Sequence, residues 1–136
     1  MLDQVSAATP PETFLALDFG LKRTGFAYGT RLLQRAQGLN TLVAHGKQKR
    51  LSGVAFLIQQ WQPDALVLGI PTYPDGQAHE MTTHAKNFAK QLRGRFKLPV
   101  FEVDERYSSV EAQAQGANDL DMGAAVIILE QFLRSL

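Results

Sequence analysis

Four acids stand where an apolar run ends or begins. Asp18 closes "FLAL" (14–17) and is followed by Gly20, Lys22, Arg23 and Gly25. Asp104 and Glu105 close "VFEV" (100–103), and Asp121 opens "DMGAAVIIL" (121–129). An acid at the end of a buried run serves no packing purpose, so its charge is what matters. Three carboxylates drawn together repel, and each holds its proton more tightly unless a cation sits between them. Hard oxygen ligands with open positions suit Mg²⁺ or Mn²⁺. Two such ions, about 4 Å apart, can activate a water and stabilise the leaving oxygen of a phosphodiester. The acids therefore point to metal-assisted phosphodiester hydrolysis. Lys22 and Arg23 stand beside the first acid, Lys suited to point-charge and Arg to bidentate phosphate contact.

Each acid has an ordinary alternative. Asp121 could be the N-cap of a helix. Glu105 could pair on the surface with Arg106 or Lys22. Asp18 is the hardest of the three to explain by packing. His45, His79 and His84 could assist the chemistry but read first as surface residues.

The elements must bring these residues together. Residues 13–19 are apolar and bounded by Gly20, so they read as a buried strand. Residues 24–30 alternate as a second strand, and a third is expected around 36–43. Short connections favour an antiparallel meander. In "KQKRLSGVAFLIQQWQ" (47–62) the period changes, with Leu51, Val54, Ala55, Leu57, Ile58 and Trp61 on one helical face and Pro63 as the stop. "DALVLGIP" (64–71) reads as a strand buried on both faces. "TYPDGQ" (72–77) is a turn by composition. A helix over about 78–94 turns Ala85, Phe88, Ala89 and Leu92 inward.

Pro99 restarts the chain as a fifth strand, 100–106. Ser108 and Glu111 make a capping box for a short helix to about 115. A final helix, 121–135, faces inward with Ala124, Ala125, Ile128, Leu129 and Phe132. The expected order is β-β-β-α-β-α-β-α-α, an α/β fold with a mixed five-stranded sheet, a three-strand antiparallel meander plus two parallel strands, flanked by helices on both faces. Residues at the carboxyl ends of strands in an open sheet face one crevice. With the fourth strand between the first and fifth, Asp18 and the Asp104–Glu105 pair share that edge, and the last helix can deliver Asp121 to it. Gly20 and Gly69 leave space beside it.

The bulk properties set the bounds. The chain has 136 residues, which suggests one domain (13–136) behind a flexible lead-in (1–12) ending at Pro10–Pro11. It has no cysteine, which excludes disulfides, thiolate metal sites and thiol catalysis. No apolar stretch approaches the roughly 20 residues of a membrane helix, so a soluble cytoplasmic protein with no membrane partner is expected. The net charge of +1 is too small to argue for nucleic acid by itself. Two local basic clusters, "GKQKR" (46–50) and "KQLRGRFK" (90–97), read as solvated helix ends or as phosphate contacts.

"LALDFGLKRTGFAYG" (15–29), "ALVLGIPTYPDGQAHEMT" (65–82), "VFEVDERYSS" (100–109) and "DMGAAVIILEQFL" (121–133) resemble, in order, the four blocks of the YqgF family. That resemblance spans residues 14–135. It implies an RNase H-like fold and a metal-dependent nuclease described as a Holliday-junction resolvase or a pre-16S rRNA nuclease of ribosome biogenesis. The implied substrates are structured RNA (pre-16S rRNA) or branched DNA.

Metal binding and catalysis carry over to Asp18, Glu105 and Asp121, with Mg²⁺ or Mn²⁺ as cofactor. Asp104 is the understudy to Glu105, because strand alternation sends the two to opposite faces. Lys22 and Arg23 match the family's basic turn, and Arg106 completes its "DER" block; all three are implied phosphate contacts. The stretch "YSSVEAQAQGANDL" (107–120) departs from the family, which is Lys-rich there. Two other classes compete: a non-catalytic nucleic-acid-binding ribosome-assembly factor, and a nucleotide phosphotransferase. The second follows from "DFGLKRTG", which also resembles the phosphate loop of actin-like ATPases, although those proteins use two such domains.

Overall fold

Phe14, Leu15, Ala16 and Leu17 are completely buried, which requires cover on both faces of the strand they form. A computed structural model describes residues 10–72, 75, 77, 80–104 and 120–136, with only the backbone at 120–122. Its elements are β1 (Thr13–Asp18), β2 (Arg23–Thr30), β3 (Ala36–Val43), α1 (Lys47–Trp61), β4 (Ala65–Ile70), α2 (Glu80–Phe96), β5 (Val100–Asp104) and α3 (Leu120–Arg134). The sheet order is β3-β2-β1-β4-β5. β1, β2 and β3 form the expected antiparallel meander, and β4 and β5 add parallel to β1.

Alternation along β1 and β4 divides the core into two layers. Leu15, Leu17, Leu66, Leu68 and Ile70 pack under α1 and α2 through Leu51, Val54, Phe88 and Leu92. Phe14, Ala16, Ala65 and Val67 pack under α3 through Ala125, Ile128, Leu129 and Leu133. Gly53 lets α1 approach β3, since a Cβ there would collide with the Leu42 side chain. Each of the first two helices stops on a left-handed residue just before a proline. Gln62 precedes Pro63, and Lys97 stands two residues before Pro99.

Most expected boundaries hold to within two residues. α2 runs on through Gly94 to Phe96 instead of ending near 94. Phe19 lies outside β1 yet stays buried. Phe132 is half-buried and packs edge-on to Phe14. The expected short helix, its capping box at Ser108 and Glu111, and the last two residues of the fifth strand lie outside the described residues.

The "GKQKR" cluster, expected as a solvated helix end or a phosphate contact, is exposed at Lys47 and Lys49, but Arg50 is buried, only 7% exposed. It stands four residues before Val54 on the apolar side of α1, so the helical period carries it inward with its neighbours.

The other basic cluster is partly neutralised. Glu102 on β5 takes Lys86 Nζ at 3.2 Å and Arg93 Nη2 at 3.0 Å. Burial pushes the Glu102 carboxyl up, but the hydrogen bonds and charges of Arg93 and Lys86 outweigh it and hold it below the ordinary glutamate value. A depressed folded-state value means stability that is present above the unfolded pKa and lost as pH falls through the folded one. We therefore expect Glu102→Gln to unfold at lower urea than wild type at pH 7. The gap should close as pH falls below about 4, as urea titrations across pH would show.

Candidate active site

Asp18 is the last residue of β1, where the central strand emerges from its two covering layers. Its register partners are Gly25 on β2 and Gly69 on β4. Gly69 in turn pairs with Val103 on β5. Phe14 and Ala16 belong to the α3 layer, so alternation places Asp18 on that face. Val103 packs against the same layer. Gly69 places no side chain in the row between Asp18 and Val103 on the α3 side of the carboxyl edge.

α3 runs back across this face. Phe132 meets Phe14 with ring centroids 5.2 Å apart and meets Phe101 at the same distance, so the end of the helix lies over the start of β1 and β5. Glu130 accepts a hydrogen bond from the Ala36 amide at 3.0 Å, on the start of β3. From Phe132 back to residue 121 is about 16 Å of helix. From Phe14 to Asp18 is about 13 Å of strand. The helix is thus long enough to span the length of β1, with Asp121 in its first turn.

Asp104 goes to the other face. It pairs in register with Ile70, is exposed, and accepts a hydrogen bond from Thr72 Oγ1 at 3.0 Å. Glu102, two residues earlier, already reaches α2 on that side. The structure therefore does not bring Asp104 to Asp18. Glu105, Arg106 and His79 lie outside the described residues, as does the side chain of Asp121. Among the described residues no three His, Asp or Glu gather into a metal-sized group. His45 and His84 are exposed.

The turn between β1 and β2 is tightly drawn. A Cβ on Gly20 would run into the carbonyl oxygen of Arg23, so this position requires glycine for space. The Lys22 carbonyl accepts from the Ala44 amide at 3.0 Å, and the Leu21 carbonyl accepts from Arg50 Nη2 at 2.6 Å. Lys22 and Arg23 are both exposed.

Three residues of the frame were missed from sequence. Arg50 was hidden in a basic run, although its spacing from Val54 was the available signal. Thr72 sat within a turn. Asp64, at the opposite edge, accepts from the Glu12 and Thr13 amides at 2.9 and 3.2 Å and ties the starts of β1 and β4 together.

A five-stranded mixed sheet of this order, flanked by helices on both faces, is an RNase H-like fold. The chain belongs to the RuvX family, the family also called YqgF, whose model is described as Holliday junction resolvase and matches residues 12–135. A protein of Albidiferax ferrireducens named "Putative pre-16S rRNA nuclease" is 61% identical over 132 residues, covering 97% of this chain and 84% of the relative. A protein of the same name from a Polaromonas strain is 58% identical, covering 92% of this chain and 90% of the relative. Thermus thermophilus RuvC, solved with a Holliday junction substrate, superimposes with a TM-score of 0.60 at 13% identity, over 91% of this chain and 94% of that one. The fowlpox virus Holliday junction resolvase gives 0.58 at 13% identity, over 91% and 99%.

Family membership makes the protein a nuclease, a hydrolase of phosphodiester bonds. Among the described residues no helix is long and apolar enough to cross a membrane.

We expect Gly20→Ala to cost about 1–3 kcal/mol of stability, because the added carbon meets fixed backbone and not a side chain that can swing aside. Urea unfolding would measure this. A midpoint equal to wild type would mean that the turn relaxes freely.

Proposed function

We propose that the protein is a divalent-metal-dependent nuclease that matures pre-16S rRNA, with Asp18, Glu105 and Asp121 as its catalytic metal ligands. The observation that carries this reading is the row at the carboxyl edge: Asp18 ends the central strand on the α3 face, with Gly69 beside it and Val103 beyond. The placement of Asp104 favours the other acid of the pair, Glu105. Val103 packs toward α3, whereas Asp104 is turned to the other face and held by Thr72.

The donor set fits a hard cation: Asp18 offers carboxylate oxygens from a half-buried strand end beside a residue without a side chain. Mg²⁺ or Mn²⁺, when bound, would supply water activation and neutralisation of charge on the phosphate. Lys22, Arg23 and Arg106 bind neighbouring phosphates and fix the scissile one against the acids. Asp18 is oriented by the pairing of β1 on both sides, so its backbone spends no entropy on finding the reactive position.

Precursor rRNA is favoured by the names of the relatives, which exceed half identity over nearly the whole chain. Cleavage of a four-way DNA junction is the second reading, favoured by the description of the family.

Labelled precursor rRNA and a four-way junction, each incubated with Mg²⁺, Mn²⁺ or EDTA, test these together. Wild type should cleave the RNA faster than the junction, and only with metal. Asp18→Asn should lose more than the 10–100-fold typical of outer-shell changes around a metal, with an unchanged far-UV spectrum. Equal cleavage by the variant would remove Asp18 from the chemistry. Stable RNA binding without cleavage in any metal would instead favour an assembly factor.

A further inference from the structure

Arg50 is a cation that the nuclease reading leaves unused. It is 7% exposed, and among the described residues no carboxylate pairs with it. Burial without a counter-charge lowers its pKa from the ordinary arginine value. Its guanidinium stands 4.9 Å from the centroid of Phe19 and 5.8 Å from that of Phe88, and the two rings are themselves 4.9 Å apart. A weakly hydrated planar cation suits such aromatic faces better than an ammonium would. Its one described hydrogen bond goes to the Leu21 carbonyl at 2.6 Å.

That bond joins α1 to the turn between Asp18 and Arg23. Phe19 directly follows Asp18, and Leu21 directly precedes Lys22. Stability alone does not account for the arrangement. Replacing a buried charge by an apolar group of similar shape is often neutral or stabilising. Leu21 is 48% exposed, so water could satisfy its carbonyl if the arginine were gone. What water could not do is fix the position of the turn.

We propose that Arg50 is a positioning residue that clamps the 19–23 turn, holding the Asp18 end of β1 and the Lys22 backbone in the arrangement that phosphodiester cleavage requires. The clamp has two jaws: the stack of Phe19 and Phe88 grips the guanidinium, and the guanidinium grips the Leu21 carbonyl. The Ala44 amide on the Lys22 carbonyl is the second tie on the same turn. Removing Arg50 takes away the described side-chain tie on the Leu21 carbonyl, while the Ala44 bond and the Phe19 ring in the core stay.

The role in cleavage rests on the proposed site at Asp18, whereas the clamp itself can be read without nucleic acid. Hydrogen exchange on the protein alone should show the backbone amides of residues 19–22 in Arg50→Met exchanging about tenfold faster than in wild type. The rest of α1 and β3 should be unchanged, and the melting temperature equal or higher. Arg50→Lys should restore part of that protection, because its ammonium can still donate to Leu21. On a cleaved substrate, kcat should fall about tenfold or more in the Met variant, since small misplacements near reacting groups are costly, with a smaller change in KM.

Wild-type protection of the turn in Arg50→Met would overturn the proposal. So would a lowered melting temperature with faster exchange spread evenly through α1 and β3, which would assign Arg50 to the core alone. If wild type cleaves nothing in any metal, the nuclease reading falls, and the exchange experiment still decides the clamp.

Discussion

The central constraint is that β1 is buried on both faces and paired on both sides. Phe14 to Leu17 have no solvent at all, with α1 and α2 below, α3 above, and β2 and β4 at the flanks. A carboxylate cannot be carried inside such a strand without a large desolvation penalty. It can stand only where the strand leaves the sandwich, and that is where Asp18 stands. The same enclosure makes the position rigid. Strand pairing fixes the backbone, packing fixes the strand, and the charge is delivered to a defined point at the carboxyl edge.

The two edges of the sheet divide the polar work. At the amino edge, Asp64 ties the starts of β1 and β4, while Glu12 and Arg31 stand 3.6 Å apart nearby. These contacts hold the frame and involve no open space. At the carboxyl edge the ties are made to backbone carbonyls instead, by Arg50 and the Ala44 amide. Carbonyls used in this way leave the charges of Lys22 and Arg23 on the surface. Asp64 serves the frame at the amino edge and Asp104 does so at the carboxyl edge through Thr72, while Asp18 stands on the opposite face of that edge.

Most of the frame was legible in the sequence because its signals are local. β1 and β4 are apolar runs with few polar interruptions, and such runs admit little but a buried strand. α2 showed its face through Ala85, Phe88, Ala89 and Leu92, all of them buried as expected. It runs two residues past the expected end, through Gly94, where a side chain would meet open space and the glycine costs only its own propensity. Asp18 stood out as a candidate for chemistry for the opposite reason, being a charge where the local pattern had no use for one. Arg50 was illegible because its neighbours Lys47 and Lys49 are exposed and share its charge. Composition grouped it with them, whereas the helical period set it apart. The Thr72–Asp104 contact depends on the register between two strands that are remote in sequence, and no local signal encodes that.

Charge distribution bears on how such a protein can hold nucleic acid. Residues 105–119 contain Glu105, Glu111 and Asp119 against a single cation, Arg106. A stretch of that balance repels phosphate more than it attracts it, so it is a poor source of general affinity. On α2, Lys86 and Arg93 are partly spent on Glu102. With a net charge of only +1, long-range attraction is weak as well. The exposed cations nearest to Asp18 in sequence are Lys22 and Arg23, on a turn whose carbonyls are already tied down. Few contacts must then do the work that many would otherwise share, and few contacts suffice only when they are held in place. The rigidity of the edge and the modest charge of the chain are two sides of one physical solution.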